Sequence, residues 1–302
     1  MKNIFKMMLF GLILVTLLLL LNYVFSLDFF SVDDVITSKY AVLSEDENTV
    51  DVFFVGDSLV YSGISPLNIW NDYGYSTFNI SLPDQRLNQI HEHLDLAFKK
   101  QNPKILFFEA SVFAHSLSAS TIIDMKLADN SSLMKHHDGW KNIFGTSKKK
   151  NSSSINKNTK GFKYSTDIDA FNKEFRKGSF EIEVTEKYIF EKILDMSKEN
   201  GTKVIIINVP TIRNWSSSNH NDVVEFLKDY DLEYYDLNEL DMIDWYTETR
   251  DHGEHLNYDG AKKVSKYLGE FIKNTGLVED HRGDQKYASW QEAYDKVADK
   301  LY

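Results

Sequence analysis

Two short polar segments, separated by most of the chain, carry the residue types of a nucleophilic hydroxyl site. Gly56-Asp57-Ser58 follows an apolar run typical of a buried strand, and Gly56 permits a tight turn there. Near the other end of the chain, His255 lies in a polar loop that begins at Asp251. A serine attacks a carbonyl carbon when a histidine accepts its proton and a carboxylate orients that histidine. The two segments therefore predict serine-dependent acyl chemistry if the fold brings them together.

The same loop leaves open which carboxylate would orient the histidine. Asp251 stands four positions before His255, whereas Glu254 directly precedes it. Asn257 has the position of a cap for the helix that follows. Taken alone, Ser58 is also typical of a helix N-cap. We expect Asp251 to orient His255 and keep Glu254 as the alternative.

No pattern in the sequence predicts a bound metal or cofactor. His91 and His93 are two positions apart in a predicted helix, where side chains at that spacing do not share a face. His252, Glu254 and His255 could ligate a metal, but they lack the spacing of a His-Glu-x-x-His helix motif. The chain has no cysteine and no glycine-rich phosphate loop. We therefore expect chemistry without a metal or a cofactor.

Alternating strands and helices predict the scaffold that would hold these residues. Short β-branched and aromatic runs predict buried strands, and apolar residues at 3.6-residue spacing predict helices. The strands are Val50–Val55, Lys104–Phe108, Lys203–Val209 and Leu232–Asp236, and the helices are Leu87–Lys100, Thr185–Glu199, Asn221–Tyr230 and Gly260–Lys273. This alternation favours a three-layer, doubly wound α/β fold with a parallel sheet. Ligands bind beyond the carboxyl ends of such strands, which is where Ser58 falls.

The first residues have the composition of a membrane anchor. Lys2 and Lys6 precede the run Met7–Leu27, which contains no charge and matches the ~20 residues that cross a bilayer. Bulky residues follow where a cleaved signal peptide needs small ones, so we favour an uncleaved transmembrane helix over a cleaved signal or a buried core helix. The two lysines predict a cytoplasmic N-terminus, with the rest of the chain outside the cell membrane.

The charge of the chain argues against nucleic acid as a partner. Its 302 residues include 34 Lys+Arg and 45 Asp+Glu, a formal net charge of −11, whereas nucleic-acid binding needs a basic face. Residues 1–27 contain two lysines and no acid, so the remainder has a net charge of −13. Five lysines lie within residues 147–160, which predict a flexible surface loop or, alternatively, a contact with an anionic polymer or lipid head group.

The chain accordingly divides into four predicted segments. Residues 1–27 are the anchor, 28–49 a linker, 50–275 the α/β domain with its basic loop, and 276–302 a helical tail. The tail carries Trp290, Tyr294 and Val297 at roughly helical spacing. We expect this apolar face to pack on the domain, with partner binding as the alternative.

These motifs resemble the SGNH/GDSL hydrolase superfamily. The resemblance rests on Val52-Phe-Phe-Val-Gly-Asp-Ser58 and on Asp251 to His255-Leu-Asn-x-x-Gly-Ala, and it extends from Val50 to about Lys273. It implies an SGNH-type, flavodoxin-like sheet with Ser58 as nucleophile, His255 as general base and Asp251 as its partner.

Within the superfamily, the chain looks most like the membrane-anchored, DltD-like and AlgJ/AlgX-like branch. The supporting stretches are Phe78–Gln85, Pro103–Glu109 and Asn208-Val-Pro-Thr. Members of that branch lie outside the membrane and take part in acylating cell-surface polymers, usually beside a membrane-bound O-acyltransferase. The resemblance thus implies two partners, a surface polymer and such an acyltransferase.

The oxyanion blocks of the superfamily have no clean match here. Ile80-Ser81-Leu82 stands where the glycine belongs, and Glu109-Ala-Ser-Val stands where the asparagine belongs. The backbone N–H groups of Ser58 and of Ser81 or Leu82, with help from Gln85, are the remaining candidate donors. One missing oxyanion donor costs about 10²–10³ in rate.

A weakened oxyanion hole favours slow acyl transfer onto a positioned acceptor over fast general hydrolysis. The leading expectation is therefore an extracytoplasmic serine acyltransferase that esterifies a cell-surface polysaccharide or teichoic-type polymer, with acetyl as the first candidate for the group. A carbohydrate esterase of the same fold is one alternative. A non-catalytic accessory to a membrane-bound O-acyltransferase is the other.

Overall fold

The computed structural model describes residues 2–25, 41–130, 159–171, 178–213 and 215–301. In chain order the helices are α1 (Lys2–Phe25), α2 (Ser58–Gly63), α3 (Pro66–Tyr73), α4 (Leu87–Phe98), α5 (Ser120–Asn130), α6 (Val184–Glu199), α7 (Ser217–Leu227), α8 (Tyr258–Thr275) and α9 (Ala288–Leu301). The strands are β1 (Val52–Gly56), β2 (Thr77–Ser81), β3 (Ile105–Glu109), β4 (Lys203–Asn208), β5 (Glu233–Asp236), β6 (Thr249–Arg250) and β7 (His255–Leu256). The chain divides into two units, residues 1–36 with 118–152 and residues 37–117 with 153–302.

The larger unit is built on a five-stranded parallel sheet. Its strand order is β2-β1-β3-β4-β5, and every neighbouring pair is parallel. This is the flavodoxin-like order, in which the chain reverses direction across the sheet between β1 and β3 and leaves a crevice at their carboxyl ends. The predicted fold class, a doubly wound parallel α/β sheet, is confirmed.

Both faces of the sheet are apolar because both are covered by helices. All five residues of β1 are buried, which explains why its sequence is continuously apolar rather than alternating. Phe53 lies 6.0 Å, between ring centroids, from Phe98 of α4 on one face. Phe54 stacks on Phe107 at 5.0 Å on the other face, where Phe107 also meets Phe271 of α8. Strand β1 is thereby packed on both faces, with its carboxyl end at the crevice.

The predicted strands and helices are present, with small differences at their ends. The structure adds elements that periodicity does not predict, namely β2, the helices α2, α3 and α5, and the β6–β7 hairpin. Strand β2 was missed because Thr77, Asn79 and Ser81 make its sequence half polar, although all five residues are buried. Asn79 Nδ2 donates to the carbonyl of Ile64 at 2.8 Å, which gives its amide nitrogen a partner inside the domain.

The smaller unit contains the apolar N-terminal helix. The segment Lys2–Tyr23 is 22 residues long, has a mean hydropathy of 2.7 and buries none of its apolar window. By length and composition it is able to cross a membrane, and a signal sequence near the N-terminus has the same properties.

The end of the chain packs on the domain, as its apolar spacing predicts. Trp290 of α9 is fully buried, and its ring centroid lies 6.3 Å from that of Trp70 in α3. Trp70 Nε1 donates to Gln291 Oε1 at 3.2 Å. Helix α9 therefore covers an indole of α3 that would otherwise face solvent.

One lysine of the basic segment is buried rather than part of a solvated loop. Residues 147–158 lie outside the described part of the chain, but Lys160 is only 3% exposed. Its Nζ lies 2.7 Å from Glu45 Oε2 and 4.0 Å from the ring centroid of Trp290. The carboxylate and the indole face compensate the buried ammonium, and burial lowers its pKa. Glu45, assigned to the linker 28–49, thus belongs to the packed domain.

Candidate active site

Ser58 stands at the tip of the sharp turn that joins β1 to α2. Asp57 caps this helix by accepting a hydrogen bond from the Leu59 N–H at 2.9 Å. A Cβ atom on Gly56 would lie 2.6 Å from both Glu109 Cβ and a methyl group of Val60. Only glycine fits this close approach, so Gly56 is required for the turn that exposes Ser58 at the carboxyl edge of the sheet.

A tight hairpin carries the histidine and its acid. Strands β6 and β7 pair antiparallel, with Arg250 opposite His255. The connecting turn contains three consecutive residues with positive φ, which are Asp251 at 56°, His252 at 59° and Gly253 at 86°. Aspartate and histidine adopt this left-handed region less readily than glycine does. This turn brings the side chain of Asp251 back against His255.

The structure brings together the three residues that the sequence singled out. Ser58 Oγ lies 2.8 Å from His255 Nε2, and His255 Nδ1 lies 2.9 Å from Asp251 Oδ2. Both distances are within ordinary hydrogen-bond range. A histidine held between a hydroxyl and a carboxylate can take a proton from the first while the second stabilises the resulting imidazolium.

The alternative acid acts on the histidine through its charge, which raises the pKa of His255, whereas the hydrogen-bond partner of Nδ1 is Asp251. The carboxylate of Glu254 points to Arg213, whose Nη1 lies 3.2 Å from Glu254 Oε2. His252 is also engaged elsewhere, with Nδ1 at 2.9 Å from Asp169 Oδ1. Among the described residues, no group of three His, Asp or Glu side chains is arranged to hold a metal ion.

A buried arginine supports this arrangement, and no local sequence pattern points to it. Arg250 is 6% exposed. Its guanidinium makes a short hydrogen bond to Asp251 Oδ2 and donates to Ser62 Oγ of α2 at 2.7 Å. It therefore fixes the acid of the hairpin to the helix that carries Ser58. Burial, and then the positive charge of Arg250, hold the pKa of His255 below its ordinary value of 6.5, so the histidine is a neutral base at neutral pH.

Replacing Arg250 by glutamine is expected to move the acidic limb of the kcat/KM profile to higher pH. Without the guanidinium charge, the imidazolium form of His255 is less disfavoured, so its pKa rises and the base becomes protonated at a higher pH. Ester hydrolysis by both proteins across the acidic range measures the shift. Arg282→Gln, which removes an arginine paired with Asp280 instead, should leave the limb in place. An unchanged limb in Arg250→Gln would contradict the role of this charge.

The predicted oxyanion donors lie at the same edge of the sheet, in two different environments. Strand β2 pairs with β1 so that Ser81 is opposite Gly56, which places Ser81 and the half-buried Leu82 at the carboxyl end next to the nucleophile. Gln85 is fully buried, and its Nε2 lies 3.1 Å from His93 Nδ1. That amide nitrogen therefore contacts a histidine of α4. The roles of Ser81 and Leu82 stay predictions.

A second buried acid lies at the carboxyl end of β3, beside the turn that carries Ser58. Glu109 is completely buried at the end of β3. It accepts hydrogen bonds from Asn208 Nδ2 at 2.5 Å and from the Ser111 N–H at 3.0 Å. The Ser111 hydroxyl lies between two carboxyl groups, 3.3 Å from Asp57 Oδ2 and in a short hydrogen bond with Glu109. Burial, and then the nearby charge of Asp57, raise the pKa of Glu109 to about 8, which favours its neutral form at pH 7.

Replacing Glu109 by glutamine is expected to flatten the pH dependence of stability. The unfolded chain releases the Glu109 proton at a pH near the ordinary pKa of 4.5. The folded protein releases it only at a pH of about 8. Across that window the folded state binds more protons, so the free energy of unfolding falls as the pH rises. Glu109→Gln removes this contribution because the amide does not ionise.

Thermal unfolding of the full chain in detergent micelles, followed across the same pH window, measures the effect. The exposed Glu225, which pairs with Lys228 at the surface, provides a matched control because its replacement by glutamine removes a carboxylate that is already solvated. The same slope for wild type and Glu109→Gln would exclude a neutral Glu109 in the folded state.

Several solved structures are similar to this chain at low identity. A psychrotrophic esterase from Pseudoalteromonas sp. is 11% identical, with 74% of this chain and 98% of the other aligned and a TM-score of 0.41. A lipase/acylhydrolase from Enterococcus faecalis is 13% identical, with 76% of this chain and 98% of the other aligned and a TM-score of 0.40. A GDSL-like lipase from Bacteroides thetaiotaomicron is 11% identical, with 74% of this chain and 88% of the other aligned and a TM-score of 0.38. No protein-family model and no curated protein matches the chain.

Proposed function

We propose that the protein transfers acyl groups through an ester of Ser58. The observation that carries this proposal is the unbroken contact from Ser58 Oγ through His255 to Asp251. Ser58 Oγ forms a bond to the carbonyl carbon of an ester while its proton passes to His255 Nε2. The ester C–O bond then breaks, and the leaving alkoxide takes that proton. An acceptor hydroxyl or water then attacks the acyl carbon while His255 accepts its proton. The bond to Ser58 Oγ breaks, and Ser58 takes that proton back from His255.

The acceptor that we propose is a hydroxyl of a cell-surface polysaccharide or teichoic-type polymer, with acetyl as the acyl group. Two features support this choice over general hydrolysis: an apolar N-terminal helix preceded by lysines, and oxyanion blocks without the usual glycine and asparagine. The first would hold the site at the outer surface of the cell membrane. The second slows the chemical step, which suits slow transfer onto a positioned acceptor better than fast general hydrolysis. A membrane-bound O-acyltransferase is the partner that would supply the acyl group.

The fate of the acyl group tests transfer against hydrolysis. The full chain in detergent micelles is given an acetyl ester donor, with and without an added glycan. Transfer predicts acetylated glycan and little free acetate when the glycan is present, whereas a carbohydrate esterase releases acetate in both cases. If neither product depends on Ser58, the protein is a non-catalytic accessory.

The orientation of the chain is tested independently of its chemistry. A reporter enzyme that works only outside the cell membrane should be active when it is fused after residue 301. A reporter enzyme that works only in the cytoplasm should be active when it is fused before residue 2. A reporter that is active in the cytoplasm when fused at the C-terminus would overturn the proposed location, because the polymer is outside.

A further inference from the structure

A pocket of about 440 Å³ lies beyond the carboxyl ends of β4 and β5, separate from the Ser58–His255 contact. Its volume falls within the ~300–1,000 Å³ of small-molecule sites. The residues that line it are mostly polar, with two tryptophans among them, Trp215 and Trp245. The larger unit therefore offers a second concave surface at the same edge of the sheet as the nucleophile.

This pocket adjoins the loop that carries Asp251 and His255. Thr211 and Ile212 form part of its wall. Thr211 Oγ1 donates to the carbonyl of Glu254 at 2.9 Å, and the Ile212 N–H donates to the carbonyl of Gly253 at 3.3 Å. The wall residues that a molecule in the pocket would contact are thus hydrogen-bonded directly to the loop that carries the catalytic histidine.

The two indoles are held in different ways. Trp215 is nearly fully buried, and its Nε1–H donates to Asp236 Oδ2 at 2.9 Å, which fixes the ring. Trp245 is half-buried and packs against the core of the domain, so part of its surface is available. A flat, ordered aromatic surface binds the apolar C–H face of a ring at low entropic cost.

Hydrogen-bonding groups of both kinds surround the indoles. His220 Nδ1 lies 3.0 Å from Asp236 Oδ2, which sets the ring orientation and leaves Nε2 as an acceptor in the neutral form. The amide of Asn238 is fixed by Asp236 Oδ1 at 2.8 Å and by the Thr211 N–H at 2.8 Å. Glu239 is 67% exposed in its side chain and provides a carboxylate at the rim. These groups suit a ligand that has several hydroxyl groups.

We infer that this pocket binds a sugar ring of a neutral glycan beside the nucleophile. The indole surface takes the C–H face of the ring, and the Glu239 carboxylate, the Asn238 amide oxygen and the His220 imidazole take its hydroxyl groups. Two carboxylates, Asp236 and Glu239, disfavour an anionic polymer. Its role as the acceptor subsite rests on the proposed transfer function, whereas binding itself does not.

Binding is tested on the full chain in detergent micelles with Ser58→Ala, so that no chemistry is required. Chitotetraose and maltotetraose are the neutral probes, oligogalacturonate the anionic probe and octanoate the acyl probe, all followed by calorimetry. We expect saturable binding of a neutral probe only. Adding Trp245→Ala should weaken the affinity for the neutral probe about tenfold. Trp245→Phe should weaken this affinity less, and Glu239→Gln should weaken it a fewfold.

Tyr246 provides the matched control, because it is the neighbouring aromatic residue, 72% exposed and outside the pocket lining. Tyr246→Ala should leave the affinity unchanged. Three results overturn the inference: no binding of either neutral probe, tighter binding of oligogalacturonate or octanoate, or neutral binding that survives Trp245→Ala and Glu239→Gln together. If Ser58 forms no acyl-enzyme, the proposed function is wrong, but the conclusions from these binding measurements are unaffected.

Discussion

Replacement of Ser58 by alanine is expected to lower kcat for ester cleavage by about 10⁶-fold, the scale seen when a serine nucleophile is removed from such a triad. The reason is that His255 Nε2, 2.8 Å from Ser58 Oγ, then has no hydroxyl to deprotonate and no covalent intermediate can form. Hydrolysis of an activated acetyl ester by wild type and variant measures the loss.

Covalent labelling by a fluorophosphonate gives a second reading of the same change. Wild type should be labelled at Ser58 and the alanine variant should not. Ser65→Ala removes another buried hydroxyl, one bonded to Asn68, and should retain both labelling and turnover. Residual activity near the wild-type rate in Ser58→Ala would mean that the chemistry uses a different group.

Replacement of Asp251 by asparagine is expected to lower kcat by about 10⁴-fold, because the amide favours the wrong tautomer of the histidine and does not stabilise its charged form. The contact at stake joins Asp251 Oδ2 to His255 Nδ1. An unchanged KM would show that the loss lies in the chemical step.

Glu254→Gln is the matched comparison, since the two acids lie in one loop and Asp251 holds the hydrogen bond to the histidine. Glu254 pairs with Arg213 at the surface, so we expect a change of less than about threefold. The opposite ranking, with the larger loss in Glu254→Gln, would show that the loop rearranges in the working enzyme and would transfer the orienting role to Glu254.

The buried strands could be predicted from sequence because burial on both faces imposes a continuous apolar run. Strand β2 could not, since Asn79 is buried only because the Ile64 carbonyl accepts its amide, a contact between segments that no local pattern reveals. The same holds for helix α2, which is six residues long and takes its cap from Asp57.

The candidate site was predictable in its residue types but not in its supports. Ser58 and His255 belong to recognisable motifs, whereas Arg250 and Glu109 are charged residues whose burial depends on partners far along the chain. The choice between Asp251 and Glu254 depends on three successive positive φ angles, which composition alone does not indicate.

The separation of the nucleophile from its base has a consequence for how the protein is made. Ser58 and His255 are 197 positions apart, and β1 can only be covered on one face after α8 has been synthesised. Contacts between such distant segments form late in folding. A nascent chain that has emerged only as far as β3 carries a serine of ordinary reactivity. The contact from Ser58 to His255 is therefore absent until synthesis of the chain is almost complete.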